Sequence, residues 1–253
     1  MAAKKDSIFL TIFARIWGFW GLISFTGTFL IILIPSLATK IIPNPKGMYW
    51  FIKVSQFWMT CWLYMIGCPM KVVGKQNFKK GITYIITYNH NALLDVPLSA
   101  PFVPGANQTI AKDSFAKVPI FGWFYARGSV LVNRKSLASR KKSYDMMKAA
   151  LKQTFHMCIY PEGSRNKTNN PLAPFHDGAF KLAVDTQNAI MPSIIFGTRG
   201  AMPIHKPFYL LPTKLEIHFL PPIEAGKDAD ALKKQVFEIM WNYYESRALE
   251  FTT

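Results

Sequence analysis

Apolar residues are concentrated at one end of this chain. Ile16 to Thr39 contains no charged residue over 24 positions, and Val54 to Met70 is a second uncharged run of 17. As an unbroken helix the first run is about 36 Å long, against about 30 Å of bilayer hydrocarbon. Pro35 predicts a kink or stop near its end, and Pro43, Pro45 and Gly47 mark a turn between the runs. From Met70 the pattern becomes short apolar stretches alternating with amphipathic ones. Strands are predicted at Lys71–Val73, Thr83–Tyr88, Gln108–Lys112, Val130–Asn133, His156–Tyr160, Ile190–Phe196 and Lys214–Phe219. Helices are predicted at Pro97–Ala100, Phe121–Ala126, Leu137–Lys152, Gly178–Thr186 and Asp228–Leu249. This alternation predicts an α/β fold, a mixed sheet covered by helices. Residues 1–69 read as an N-terminal two-helix membrane hairpin and residues 70–253 as the α/β domain.

Charge sharpens the membrane reading. Lys and Arg number 30 against 14 Asp and Glu, a net +16 on a chain that is 50% hydrophobic and 17% charged. Disordered and collagen-like classes are excluded, and the basic excess asks for an anionic partner, phospholipid or nucleic acid. No basic-aromatic recognition motif supports nucleic acid, and the apolar N-terminus has no use there. Basic residues flank both runs: Lys4, Lys5 and Arg15 before, Lys40, Lys46 and Lys53 between, Lys71, Lys75, Lys79 and Lys80 after. A spanning hairpin would put the middle cluster across the membrane, against the positive-inside tendency. Two helices sunk into one leaflet satisfy all three clusters, which places the protein on the cytoplasmic face of a membrane. A cleaved signal peptide is the rival reading, disfavoured because the run is too long and a second follows. Cys61, Cys68 and Cys158 form no Cys-x-x-Cys pair, which favours a reducing compartment.

Two short segments carry candidate chemistry. Asn89-His90-Asn91-Ala92-Leu93-Leu94-Asp95 follows a predicted strand. A carboxylate folded back onto an imidazole fixes its tautomer and leaves the other nitrogen as a general base. Asp95 has a plainer reading as a helix N-cap, and His90 as a hydrogen-bonded turn residue. Tyr160-Pro161-Glu162-Gly163-Ser164-Arg165 also follows a strand; its Pro and Gly force a turn, and Arg165 offers a planar fork suited to phosphate. Lys112 and Arg134 stand at the ends of two further strands, as phosphate ligands or as ordinary solvated charges. The basic helix Leu137–Lys152 is read as a solvated face, with lipid headgroups or a polyphosphate as the sharper alternative. The chain has no P-loop, no dinucleotide-binding turn, no nucleophile elbow and no His-Glu-x-x-His, and no metal site is expected.

Asn-His-x-x-x-x-Asp at 89–95, Lys112 through Asn133-Arg134, Pro-Glu-Gly-Ser-Arg at 161–165 and Met191-Pro192 resemble the four ordered motifs of glycerolipid acyltransferases, most nearly the 1-acylglycerol-3-phosphate (lysophosphatidic acid) acyltransferases. Phe175–Ala183 resembles the helix start after the third motif, and the two-helix N-terminus is typical of bacterial members, which implies a bacterial inner membrane. Departures are Asn91-Ala92 for the common Gln/Arg-Ser, Tyr160 for Phe and Ser164 for Thr. The resemblance implies transfer of a fatty acyl group from acyl-CoA or acyl carrier protein to the sn-2 hydroxyl of lysophosphatidic acid, giving phosphatidic acid without a bound cofactor. It implies His90 as base, Asp95 as its orienting carboxylate, and Lys112, Arg134 and Arg165 as ligands of the acceptor phosphate. Glu162 would contact the glycerol portion or brace the turn, and Gly163 and Ser164 would complete the acceptor site, with backbone N–H groups of this turn as candidate oxyanion donors. No acyl-enzyme is expected. Another lyso-lipid acceptor, including an amino-acid-containing one, and a catalytically silent lipid-binding protein are the alternatives.

Overall fold

A computed structural model describes residues 7–251, so the Lys4–Lys5 pair lies outside the described residues. The chain opens with a 31-residue helix, α1 (Ile8–Ala38), capped by the Ser7 side chain, which accepts from Leu10 N–H at 3.1 Å. Pro35 ends it within one turn, in agreement with the expected stop. The second helix, α2 (Lys46–Met65), starts earlier than the uncharged run because Lys53 stays exposed on its outer side. All seven predicted strands form: β1 (Met70–Val73), β2 (Ile85–Tyr88), β3 (Asn107–Lys112), β4 (Ser129–Val132), β5 (His156–Ile159), β6 (Ile190–Phe196) and β7 (Leu215–Phe219). Between and after them lie α3 (Asp95–Phe102), α4 (Phe121–Arg127), α5 (Leu137–Lys152), α6 (Gly178–Thr186), α7 (Thr198–Ala201) and α8 (Ala229–Arg247). The strand predicted from Thr83 begins at Ile85, and α3 extends beyond the predicted Pro97–Ala100 at both ends, because Pro97 falls in its first turn, where a missing N–H costs nothing.

The strands make one sheet in the order β1-β7-β6-β2-β5-β3-β4. Neighbours are parallel except β6 and β7, which run antiparallel, so the sheet is mixed as expected. The five strands β6, β2, β5, β3 and β4 therefore point their C-terminal ends the same way, and the loops leaving those ends share one edge of the molecule. In sheets of this kind such edges hold ligands.

Each face of the sheet has its own cluster. On one, Ile85, Met157, Ile190 and Phe196 meet α5, α6 and α8 through Leu151, Phe180 and Val236. On the other, Ile86, Tyr88, Met191 and Ile195 meet Met59, Trp62 and Leu63 of α2, and Phe29 and Ile32 of α1 join the same cluster. The outer side of α1 is different: Phe9, Ile12, Ile16, Ile23, Ile31 and Ile34 are exposed. The segment Ile8–Ile41 is long and apolar enough to cross a bilayer. Trp17 Nε1 donates to Ile66 O at 2.8 Å near one end of α1, and Arg127 Nη2 donates to Thr39 O at 3.0 Å just past the other. Gly18 lets the backbone of Phe208 lie directly on the helix, since a Cβ at Gly18 would meet the Phe208 carbonyl oxygen at 2.6 Å.

One turn is strained. Ile120 has φ 63° and ψ −54°, closed by a 2.6 Å bond from Phe121 N–H to Pro119 O. This γ-turn conformation costs a β-branched residue about 1–3 kcal/mol.

The C-terminal edge is held together by Asn89, which is fully buried just past β2. Its side-chain amide donates to Ile195 O at 3.0 Å and accepts from Ile195 N–H at 2.7 Å, extending the β2–β6 ladder with a side chain. Asn89→Ala should leave both Ile195 groups unpaired and cost about 2–4 kcal/mol, read as a lowered urea midpoint with the slope unchanged.

Candidate active site

Four strand ends stand side by side in the order β2, β5, β3, β4, about 4.8 Å apart. They lead respectively into His90, the Pro161–Arg165 turn, Lys112 and Arg134. Segments far apart in sequence thus reach one edge because of strand order alone.

His90 and Asp95 are brought together. His90 Nδ1 lies 2.9 Å from Asp95 Oδ2, and the same oxygen accepts from Asn91 N–H at 2.6 Å and Ala92 N–H at 2.7 Å. Asp95 is fully buried, and its donors lie upstream of α3, so it does not serve as an N-cap of that helix. With two N–H groups already aimed at Oδ2, the hydrogen between Oδ2 and the imidazole belongs to Nδ1. The other nitrogen, Nε2, then carries a lone pair and has no partner among the described residues. Tyr160 supports the pair from below: its hydroxyl donates to Asp95 O at 2.8 Å, and its ring lies 4.5 Å, centroid to centroid, from the imidazole.

Glu162 is also buried. Its oxygens accept from His90 N–H at 2.7 Å and Ala173 N–H at 2.9 Å, tying the β2 and β5 loops and the segment leading to α6 to one carboxylate. Burial pushes its pKa up to about 7; the two N–H donors oppose that rise, Asp95 adds to it and Arg199 opposes it. Asn166 N–H closes the same junction on His90 O at 2.6 Å.

Gly163 has φ 69°, and a Cβ there would meet the His176 ring at 2.7 Å, so both the backbone and the space demand glycine. Arg134 Nη1 lies 3.9 Å from that same Cβ position, which means its guanidinium reaches back from the end of β4 to the β5 turn. Tyr125 sits between, with its hydroxyl at the Lys112 backbone and close to Arg134. Lys112, Arg134, Ser164 and Arg165 are all exposed, and the three cations have no side-chain partner among the described residues. The Gly163 N–H is donated to Tyr160 O at 3.0 Å, which removes it from the candidate oxyanion donors.

Sequence reasoning missed Arg199. Its Nη2 donates to Asn91 Oδ1 at 2.9 Å and to Asn170 O at 3.1 Å, pinning the His90 loop to the loop after β5. Tyr244 of α8 faces the same Asn91 side chain. The available signal was its position: Arg199 follows Gly197 at the C-terminal end of β6, an edge that such sheets reserve for ligands. Cys158 is fully buried, its thiol pushed up to about 12 by desolvation, and takes no part in this edge. Among the described residues no group of three or more His, Cys, Asp or Glu is placed to hold a metal ion.

The chain is similar to proteins already known. The acyltransferase family model matches residues 69–196. The 1-acyl-sn-glycerol-3-phosphate acyltransferase of Saccharomyces cerevisiae is 35% identical over 141 residues, covering 53% of this chain and 45% of that protein. The enzyme of the same name from Cocos nucifera is 27% identical over 168 residues, covering 64% and 52%. The chain thus spans about half the length of these two relatives. In fold it is similar to the crystal structure of the 1-acyl-sn-glycerophosphate (LPA) acyltransferase from Thermotoga maritima, with a TM-score of 0.75, 21% identity, and coverage of 96% and 98% of the two chains. The matched segment includes every strand end that bears a candidate residue and about half of all residues, and the chain belongs to the acyltransferase family.

Proposed function

We propose that this protein transfers a fatty acyl group from a thioester, acyl-CoA or acyl carrier protein, to the sn-2 hydroxyl of lysophosphatidic acid, giving phosphatidic acid. The observation that carries this reading is the His90–Asp95 pair, whose donor pattern puts the proton on Nδ1 and the lone pair on Nε2. His90 Nε2 takes the hydroxyl proton as the acceptor oxygen attacks the thioester carbonyl. The tetrahedral intermediate collapses with departure of the thiolate, and the imidazolium returns its proton to that sulfur. Asp95 stabilises the imidazolium in between. Arg165, Arg134 and Lys112 bind the acceptor phosphate, while Ser164 lies beside them on the turn and Gly163 lets that turn come close. Glu162, with both oxygens occupied by backbone donors, braces the site rather than touching the glycerol. The acceptor identity rests on the names of the similar proteins and on the three unpaired cations. We assign residues 1–69 to membrane contact and 70–253 to the chemistry, with α1 and α2 resting in the cytoplasmic leaflet.

His90→Ala should remain folded and membrane-bound while acyl transfer falls by about 10²–10⁴-fold, and Asp95→Asn should fall steeply through the wrong tautomer. Single-turnover assays with labelled donor and a panel of lyso-lipids read both effects; near-normal turnover by His90→Ala would remove it as the base.

Arg165→Ala should raise KM for the lyso-lipid with a smaller change for the donor, and Arg165→Lys should recover only part of the loss, since a point charge lacks the bidentate fork. Loss of donor affinity alone would reassign Arg165 to the carrier.

Glu162 supplies a pH test. Its folded pKa, about 7, lies above the unfolded value near 4.5, so the folded state holds the extra proton between them. Its contribution to stability is therefore greatest below the unfolded value and is lost as pH rises through about 7. Denaturant titrations of Glu162→Gln should lack that fall. The amide should nonetheless slow turnover, because its NH₂ must face one of two N–H donors.

A further inference from the structure

The segment joining Lys112 to α4 leaves the same edge of the sheet as His90, and it is built the wrong way round for a soluble surface. Phe115, Val118 and Ile120 are exposed, and Trp123 is 62% exposed. Lys112 precedes them and Lys117 lies between Phe115 and Val118, and the one acidic group there is Asp113. The outward placement of Ile120 is held by the strained γ-turn described above, kept by the 2.6 Å Phe121–Pro119 bond. Backbone strain of this kind persists where the surrounding structure imposes it, and such sites cluster at functional positions.

The segment does not stand alone. Phe121 and Phe124 of α4 lie 5.4 and 5.7 Å, ring to ring, from Phe29 of α1, and Phe121 lies 6.3 Å from Phe25. Trp123, two residues from Phe121 on a helix, therefore projects from the side of α4 turned away from Phe29, into solvent. Exposed apolar side chains clustered within nine residues, flanked by lysines and including a tryptophan, are the chemistry of an interfacial membrane contact.

We propose that residues 115–123 form a second membrane foothold, separate in sequence from the N-terminal helices, which seats the catalytic edge on an anionic phospholipid surface. Phe115, Val118, Ile120 and Trp123 enter the headgroup–acyl boundary, and Lys117 faces the lipid phosphates. The proposal rests on the reading of a bilayer-resident acceptor and deepens it, because it sets the open Nε2 of His90 at the depth where a lyso-lipid hydroxyl lies.

The experiment uses the full chain with Cys61→Ser, so that the remaining native thiols, Cys68 and Cys158, are buried. Nitroxide labels are placed singly at Val118→Cys and Trp123→Cys, with Ile82→Cys, exposed before β2 at the opposite edge of the sheet, as the aqueous control. Collisions with oxygen and with a water-soluble nickel chelate are compared with and without vesicles of phosphatidylglycerol and phosphatidylethanolamine. Labels at 118 and 123 should lose nickel accessibility and report depths of about 5–10 Å, while 82 stays aqueous. Labels at 118 and 123 that remain aqueous on vesicles would overturn the foothold. So would labels that turn apolar when monomeric lyso-lipid is added without vesicles, because the patch would then cover an acyl chain. Two positions guard against failure of one variant to fold. A third variant, Trp123→Asp, should lower turnover of vesicle-borne acceptor about tenfold and leave a short-chain, water-soluble acceptor unaffected. Depth needs no turnover, so failure of the proposed reaction and failure of the foothold give different results.

Discussion

One carboxylate oxygen organises the candidate site. Asp95 Oδ2 receives three hydrogens, from His90, Asn91 and Ala92, inside a span of six residues. Hydrogen bonds to a charged acceptor are stronger than neutral ones, and these three curl the loop after β2 so that the imidazole stands over the sheet edge. The rest is built to keep that loop from moving. Glu162 holds the His90 N–H, Arg199 holds the Asn91 side chain, Tyr160 holds the Asp95 carbonyl, and Asn89 ties the loop's root to β6. Two restraints come from the end of β5 and two from the end of β6, so the loop is held from both neighbouring strands, which is how a loop acquires the precision that chemistry demands.

The second constraint is topological. Strand order sets β2 beside β5 and β5 beside β3, so His90, the glycine turn and the cations arrive as neighbours although the chain visits them far apart. Arg134 then gains reach from a long side chain rather than from its strand, which is two positions from β5. The positive φ of Gly163 matters because the turn must pass beneath His176 and leave room for that guanidinium.

Much of this is legible in the sequence. All seven strands follow from runs of β-branched and apolar residues, and the mixed sheet from their alternation with helices. His90 and Asp95 are visible because a strand end, a histidine and a carboxylate five residues later form a local motif. Residues whose roles arise from distant pairing are not. Arg199 looks like an ordinary surface arginine until β6 is seen beside β2, and Asn89 looks like a turn former until its side chain is seen completing a ladder. The length of α2 escapes for a related reason: an uncharged run marks what faces lipid or core, whereas a helix extends through Lys53 wherever a lysine stays in water. The strain at Ile120 has no signature in composition, because isoleucine is among the residues least suited to positive φ.

The attachment of α1 has a mechanical consequence. At about 46 Å the helix is longer than the sheet it lies against, yet it is fastened by Trp17 to the end of α2 and, just past its other end, by Thr39 to Arg127. The Thr39 carbonyl leans on a guanidinium that also ends α4, directly before β4. A helix pinned at two points cannot swivel against the body it carries. It behaves as a keel: a force on its far end passes through Thr39 and Arg127 to the start of β4, the strand whose other end leads to Arg134.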